Sequence, residues 1–211
     1  IHTALFSRAS TDLRGIFEPA RVWASTEPAQ FRGQPCLRLT SELDFVYTIA
    51  HWANDLCRTT NAIGICDIVR MLAVRTANID WMQVRHWIIE SPQLGDYVTV
   101  VLRSLERAGI ADPPAELQDC VAESADRIGR TNLQVLEFIL KAYSLTGRPR
   151  AAGLLTREHA DIVWNTLLEP GNRNARLPVA ASRILNLRRQ PGELLLSSLL
   201  RRIRKALSSS G

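Results

Sequence analysis

Apolar side chains recur at helical spacing over most of this chain, and the pattern predicts a mainly α-helical fold. The clearest helix begins at Ser41, an N-cap residue type, with Asp44 three positions later. Apolar residues predict a second, short helix over 65–73. Asp80 is predicted to cap a third helix, with Gln83 in the reciprocal position of a capping box. Together these elements predict a helical bundle.

Helix-ending and turn residues divide the rest of the chain. Pro92 suits the first turn of a fourth helix, and Gly109 is suited to end it. The end of a strand is expected at 1–6, a short strand or an extended lead-in at 37–39, and a polar loop at 171–178. Helical periodicity predicts three further helices: 133–145, 159–168 and 191–207.

The element bounds predict three regions. Residues 1–38 are a strand remnant with a connecting segment, 39–120 a helical domain, and 121–211 a C-terminal helical extension. Four apolar residues of the connecting segment are candidates to anchor a short helix or a loop against a core: Ile16, Phe17, Val22 and Trp23. The tryptophans of the helical domain are expected in that core: Trp52, Trp81 and Trp87.

Composition is that of an ordinary globular protein, with 46% hydrophobic and 22% charged residues. No run approaches the ~18 apolar residues that a membrane span needs, and no secretory signal is visible. The four cysteines form no C-x-x-C pair and no cluster with zinc spacing, so no metal site is predicted. We therefore expect a cytoplasmic protein with reduced thiols.

The net charge of +5 is concentrated near the C-terminus. Between Arg183 and Lys205 there are seven basic residues and one acidic residue, so the rest of the chain is close to neutral. The neutral body argues against a nucleic-acid partner. The predicted 191–207 helix is amphipathic and basic, which suits an anionic membrane, a protein partner or the chain's own core. The candidate contact residues are Arg188, Arg189, Arg201, Arg202, Arg204 and Lys205.

Several short motifs occur in an order typical of a known family. The run 39–53 (LTSELDFVYTIAHWA) resembles the helix that starts the helical half of an uncharacterised bacterial nucleotidyltransferase-like family, of polymerase-β type. Further motifs are similar to segments of the same family: 65–72 (ICDIVRML), 78–81 (NIDW), 111–114 (ADPP) and the opening Ile1-His2. The resemblance covers roughly the first 120 residues.

The resemblance implies a nucleotidyltransferase-like α+β domain, of which this chain would hold the helical part and a strand remnant. Such enzymes place a Gly-Ser turn and three carboxylates around two metal ions, which clamp the attacking and leaving oxygens. This chain contains no Gly-Ser turn and no Asp-x-Asp strand, and Glu42 and Asp44 lie at a helix start instead. Because the chain opens on Ile1 within an apolar run, we expect a catalytic half upstream. Mg²⁺ and a nucleoside triphosphate are implied for a full-length relative, and no cofactor is expected for this chain alone.

Three residues are candidates for a nucleotide pocket: His2, His51 and Asp67. Each also has a structural interpretation. His2 can pack at the end of a strand, and His51 can be a hydrogen-bonded core or interface histidine beside Tyr47. Asp67 lies in an apolar turn of helix, where a buried carboxylate would need a basic partner or a helix end. As an alternative function, the chain is a non-catalytic interaction module that binds a protein or an anionic membrane through its basic C-terminal helix.

Overall fold

The computed structural model describes residues 11–56, 63–144, 157–168 and 176–187. The described residues are mainly α-helical with one small antiparallel sheet, as the hydrophobic pattern predicted. The strands are β1 (Thr26–Phe31) and β2 (Gln34–Leu39). The helices are α1 (Thr11–Ile16), α2 (Pro19–Ala24), α3 (Ser41–Asp55), α4 (Ile63–Val74), α5 (Trp81–Glu90), α6 (Pro92–Arg107), α7 (Gln118–Ile128), α8 (Arg130–Ser144), α9 (Arg157–Leu168) and α10 (Arg176–Leu187).

The two strands form a hairpin in which Thr26 faces Leu39 and Phe31 faces Gln34. Its turn residues, Arg32 and Gly33, both have positive φ, of 51° and 78°. Two consecutive positive φ angles are typical of the turn type whose twist matches a right-handed hairpin. The strand predicted at 37–39 is confirmed as part of β2, whereas β1 was not predicted because Pro28 reads as a strand breaker.

Helices α3 and α4 pack against each other. The predicted helix start is confirmed at Ser41, but the N-cap position is Thr40, and its side chain makes no capping hydrogen bond. The N-cap assigned to Ser41 was therefore wrong by one residue. Gly64 allows α4 to approach α3 closely, because a Cβ there would lie 2.5 Å from Trp52 Cδ1.

The start of α5 shows a capping arrangement that only partly follows the prediction. Asp80 caps the helix as expected, and its carboxylate accepts from the backbone N–H groups of Met82 (3.0 Å) and Gln83 (3.2 Å). The predicted reciprocal hydrogen bond between the Gln83 side chain and the Asp80 backbone N–H is not formed. The backbone N–H of Asp80 instead donates to Glu42 Oε1 at 2.8 Å, so a side chain from the first turn of α3 completes the cap.

Helix α6 is the centre of the bundle. It contacts α1, α3, α5, α7, α8 and α9, and it is buried from Gln93 to Leu102. Ser91 caps it by accepting from the backbone N–H of Leu94 at 3.3 Å, and Pro92 is its first residue. Gly109, with φ +66°, follows its C-terminus and confirms the predicted stop.

One hydrophobic core runs through the described elements from Leu13 in α1 to Ala180 in α10. The predicted core tryptophans of α3 and α5 are confirmed as buried: Trp52, Trp81 and Trp87. Trp164 of α9 is also buried. Trp23 is 67% exposed, so the expectation that it anchors the connecting segment was wrong. The other three predicted anchors are confirmed, because Ile16 and Phe17 are buried and Val22 packs partly buried against the core.

Two features of the C-terminal half differ from the sequence-based expectation. Helix α7 was not predicted, because small and polar residues make up much of its buried side. Helix α10 begins at Arg176, so residues 176–178 are helical and not part of a loop. The predicted strand 1–6, the remaining loop residues 171–175 and the predicted helix 191–207 lie outside the described residues.

Candidate functional site

The outward side of α3 carries polar side chains at helical spacing. Asp44, Tyr47, Thr48 and His51 recur three or four positions apart and are half-buried or exposed, while the residues between them face the core. Helix α4 packs alongside and adds the exposed carboxylate of Asp67. Arg75, which directly follows α4, adds a guanidinium. We refer to Asp44, Tyr47, His51, Asp67 and Arg75 as the α3–α4 polar face.

His51 lies at the exposed end of a short row of rings. Its imidazole stacks on the Tyr47 ring, with centroids 5.7 Å apart and planes 18° from parallel. Tyr47 in turn meets Phe17 edge-on, at 6.0 Å and 75°. Because Phe17 is buried and His51 is exposed, the row joins the core to the surface. His51 is therefore not a core histidine, and its imidazole is accessible at the surface.

Asp67 is exposed, so the burial on which its structural interpretation rested was wrong. Its charge nevertheless acts on Asp44. Partial burial raises the pKa of the Asp44 carboxyl above its ordinary value of 3.8, Arg75 lowers it, and the nearby Asp67 carboxylate raises it again. The Arg75 guanidinium lies 3.5 Å from Asp44 Oδ2. The face thus holds two interacting carboxylates beside one cation.

The side chains of this face include both donors and acceptors of hydrogen bonds. An imidazole and a guanidinium can donate hydrogen bonds to phosphate or base acceptors, and carboxylates can accept them from hydroxyl and amino groups. Among the described residues, no group of three or more His, Cys, Asp or Glu side chains is placed to hold a metal ion.

A second feature, which sequence reasoning missed, is an apolar groove of about 660 Å³ between α4, the C-terminal end of α6 and α8. Ile65 and Val69 line it from α4, Leu105 from α6, and Phe138 from α8. We refer to it as the α4/α6/α8 groove. Phe138 is 52% exposed there, which is high for an aromatic ring on an amphipathic helix. The sequence did carry one signal for this groove, because Phe138 is an apolar residue outside the main apolar stripe of α8.

The remaining candidate residues lie outside the described part of the chain. These are His2 and the basic residues Arg188, Arg189, Arg201, Arg202, Arg204 and Lys205. Of the candidates, the structure therefore brings His51 and Asp67 onto adjacent helices and leaves the others as predictions.

No family model, curated protein or solved structure matches the chain. Within the described ranges, no helix is both long and apolar enough to cross a bilayer.

Proposed function

We propose that this chain is the helical, substrate-side portion of a nucleotidyltransferase-like protein. Nucleotidyl transfer from a nucleoside triphosphate to an acceptor would then depend on a Gly-Ser turn and carboxylates that the sequence printed here does not contain. The chain is accordingly inactive alone, and its role is to contact the nucleotide or acceptor beside a catalytic half.

The observation that supports this proposal is the exposure of His51 and Asp67 on adjacent helices. Both belong to the motifs that resemble the family, and both lie in helices whose other faces are strongly apolar. His51 and Asp67 are instead exposed, and Asp67 lies close enough to the Asp44 and Arg75 pair for its charge to add to the effect of burial in raising the pKa of Asp44.

The face also suits the ligand class. A nucleoside triphosphate presents phosphate oxygens and base acceptors, for which Arg75 and His51 carry donors. Its sugar hydroxyls and base amino groups are donors, for which Asp67 offers an exposed acceptor. The exposed imidazole, already stacked on Tyr47, further offers a flat surface to a base.

The test is calorimetric titration of nucleoside triphosphates with Mg²⁺ into two proteins. One is the present chain, and the other is the chain joined to the catalytic half that the proposal places upstream of it. We expect saturable binding by the longer protein and none by the chain alone. Absence of binding by the longer protein would overturn the proposal and favour the non-catalytic interaction module.

Variants of the longer protein locate the contact. We expect His51→Gln and Asp67→Asn each to weaken triphosphate binding by roughly tenfold, as the loss of one charge-assisted or well-placed hydrogen bond would do. The matched controls, His86→Gln and Asp126→Asn, change exposed residues away from the face and should leave the affinity unchanged. Equal losses of triphosphate affinity in all four variants would refute the assignment of the nucleotide contact to the α3–α4 polar face.

A further inference from the structure

The walls of the α4/α6/α8 groove are largely apolar, and two large apolar side chains at its edge are exposed. Ile65, Val69 and Leu105 line its interior, and Phe138 and Ile110 (52% and 48% exposed) stand at its edge. Exposed apolar surface gains about 25 cal/mol per Å² when a ligand covers it. A volume of about 660 Å³ lies in the range of cavities that take small molecules. The groove is therefore large and apolar enough to hold an elongated hydrocarbon.

Cations stand on all three walls of the same groove. Arg70 comes from α4, Arg107 from α6 and Lys141 from α8, and the one carboxylate among the lining residues is Glu137. Arg107 is paired with Glu137. Arg70 and Lys141 are exposed, and neither has an ion-pair partner in the part of the chain that the structure describes. The groove thus combines apolar walls with two uncompensated positive charges.

Glu137 adds a polar group inside the groove. Its side chain is only 12% exposed, and Oε1 is buried without a hydrogen-bond partner among the described residues. Burial raises the pKa of this carboxyl above its ordinary value, although Arg107 and Arg103 lower it in part.

We propose that the α4/α6/α8 groove binds a single-chain fatty acid, with the hydrocarbon along Val69, Leu105 and Phe138 and the carboxylate between Arg70 and Lys141. The charge of the groove selects this occupant. A neutral hydrocarbon would leave both cations without a partner. The basic C-terminal segment carries the same sign as the groove, so the two would repel each other.

The test is displacement of dansyl-labelled undecanoic acid from the full chain by decanoate, decanol and decyltrimethylammonium, below their micelle concentrations. We expect decanoate to displace the dye with a stoichiometry of one, decanol to do so more weakly, and the cationic amphiphile to be weakest. Equal displacement by decanol or by decyltrimethylammonium would overturn the proposal, because the head group would then not be recognised. Failure of the full chain to bind the dye would also overturn it.

Three variants assign the site. The double variant Arg70→Gln with Lys141→Gln should weaken decanoate binding roughly tenfold while leaving decanol unchanged, since two exposed charge contacts are removed. Phe138→Ala should weaken both ligands. Arg130→Gln changes an exposed arginine at the opposite end of α8 and is the matched control. Equal decanoate affinity in the double variant and the control would refute the site.

The remaining occupants are distinguished in the same assay. If an acidic amphipathic peptide displaces the dye at lower concentration than decanoate, the occupant of the groove is a protein partner and not a fatty acid. Binding that requires vesicles containing anionic phospholipid, with none to free decanoate, would replace it with a membrane surface. Either result overturns the proposal.

Discussion

The indole N–H of Trp164 in α9 donates a 2.8 Å hydrogen bond to the backbone carbonyl of Ala53, 111 residues earlier in the chain. Ala53 lies in the last turn of α3, where helix carbonyls have no partner within the helix. Trp164 therefore supplies a hydrogen-bond donor to a free carbonyl at the C-terminal end of α3, while its ring fills the core beside it.

Replacing this tryptophan should destabilise the fold. We expect Trp164→Phe to lower the free energy of unfolding by about 2 kcal/mol, because the Ala53 carbonyl loses its donor in a buried site and the ring becomes smaller. Urea unfolding followed by circular dichroism measures the change. Trp23→Phe is the control, and at this 67% exposed position the change should stay within about 0.5 kcal/mol. Similar losses in the two variants would contradict the interpretation.

The contact between α4 and α3 depends on a glycine. A Cβ on Gly64 would lie 2.5 Å from Trp52 Cδ1 and 2.9 Å from its Cγ, so Gly64→Ala should cost about 2 kcal/mol despite the better helix propensity of alanine. Gly15→Ala in α1 meets nothing within 4 Å and should stabilise the protein by about 0.5 kcal/mol. Thermal unfolding of the two variants should shift the midpoint in opposite directions. A rise for Gly64→Ala would show that the helices are not closely packed there.

A buried ion pair joins α7 to α6. Arg127 Nη2 lies 2.6 Å from Asp96 Oδ1 and also donates to Ser124 Oγ (2.7 Å) and to the Pro92 carbonyl (3.0 Å). Both side chains are largely buried. Asp96→Leu should therefore cost about 3 kcal/mol, because the guanidinium remains buried without its counter-charge.

Removing both charges should recover part of the stability that Asp96→Leu loses. The double variant Asp96→Leu with Arg127→Met leaves no unpaired charge, so its free energy of unfolding should exceed that of Asp96→Leu alone. A double-mutant cycle by denaturant titration gives the coupling between the two residues. Additive losses would mean that the two side chains act independently.

Stability should depend on pH through Glu137. Burial raises the pKa of its carboxyl above the ordinary 4.5, so the folded state binds the proton more tightly than the unfolded state does. The stabilising effect of that proton is complete below pH 4.5 and is lost as the pH rises through the folded-state pKa. Glu137→Gln lacks this titration. The variant should therefore gain stability relative to the parent protein between acidic and neutral pH, as measured by urea titration across that range. If the difference in free energy of unfolding between the variant and the parent stays constant or falls as the pH rises, a raised pKa of Glu137 is contradicted.

The local parts of the fold could be predicted from the sequence, whereas contacts between distant segments could not. Asp80 caps the amides two and three residues ahead of it, so its role is visible in the sequence. The partner of its own amide is Glu42, 38 residues earlier, and no local pattern indicates that choice. Helix α7 was missed for a related reason. Cys120 and Ser124 are buried there, and such small residues give little periodic signal.

The candidate sites show the same division. The sequence singled out His51 and Asp67 by type and motif, but their exposure depends on which sides of α3 and α4 the other helices cover. Trp23 was misplaced because adjacent apolar residues in a short helix do not show which of them faces the core, and here Val22 does. The α4/α6/α8 groove is assembled from three helices that are far apart in the chain, so its shape follows only from their packing.

The bond from Asp80 to Glu42 also bears on how the protein folds. Because the cap of α5 is completed by a side chain of α3, the first turn of α5 gains its full stability only after the two helices have docked. In a peptide of α5 alone, the Asp80 amide would hydrogen-bond to water and not to Glu42. Secondary structure and tertiary packing are thus energetically coupled at this point, and α5 should form and melt cooperatively with α3.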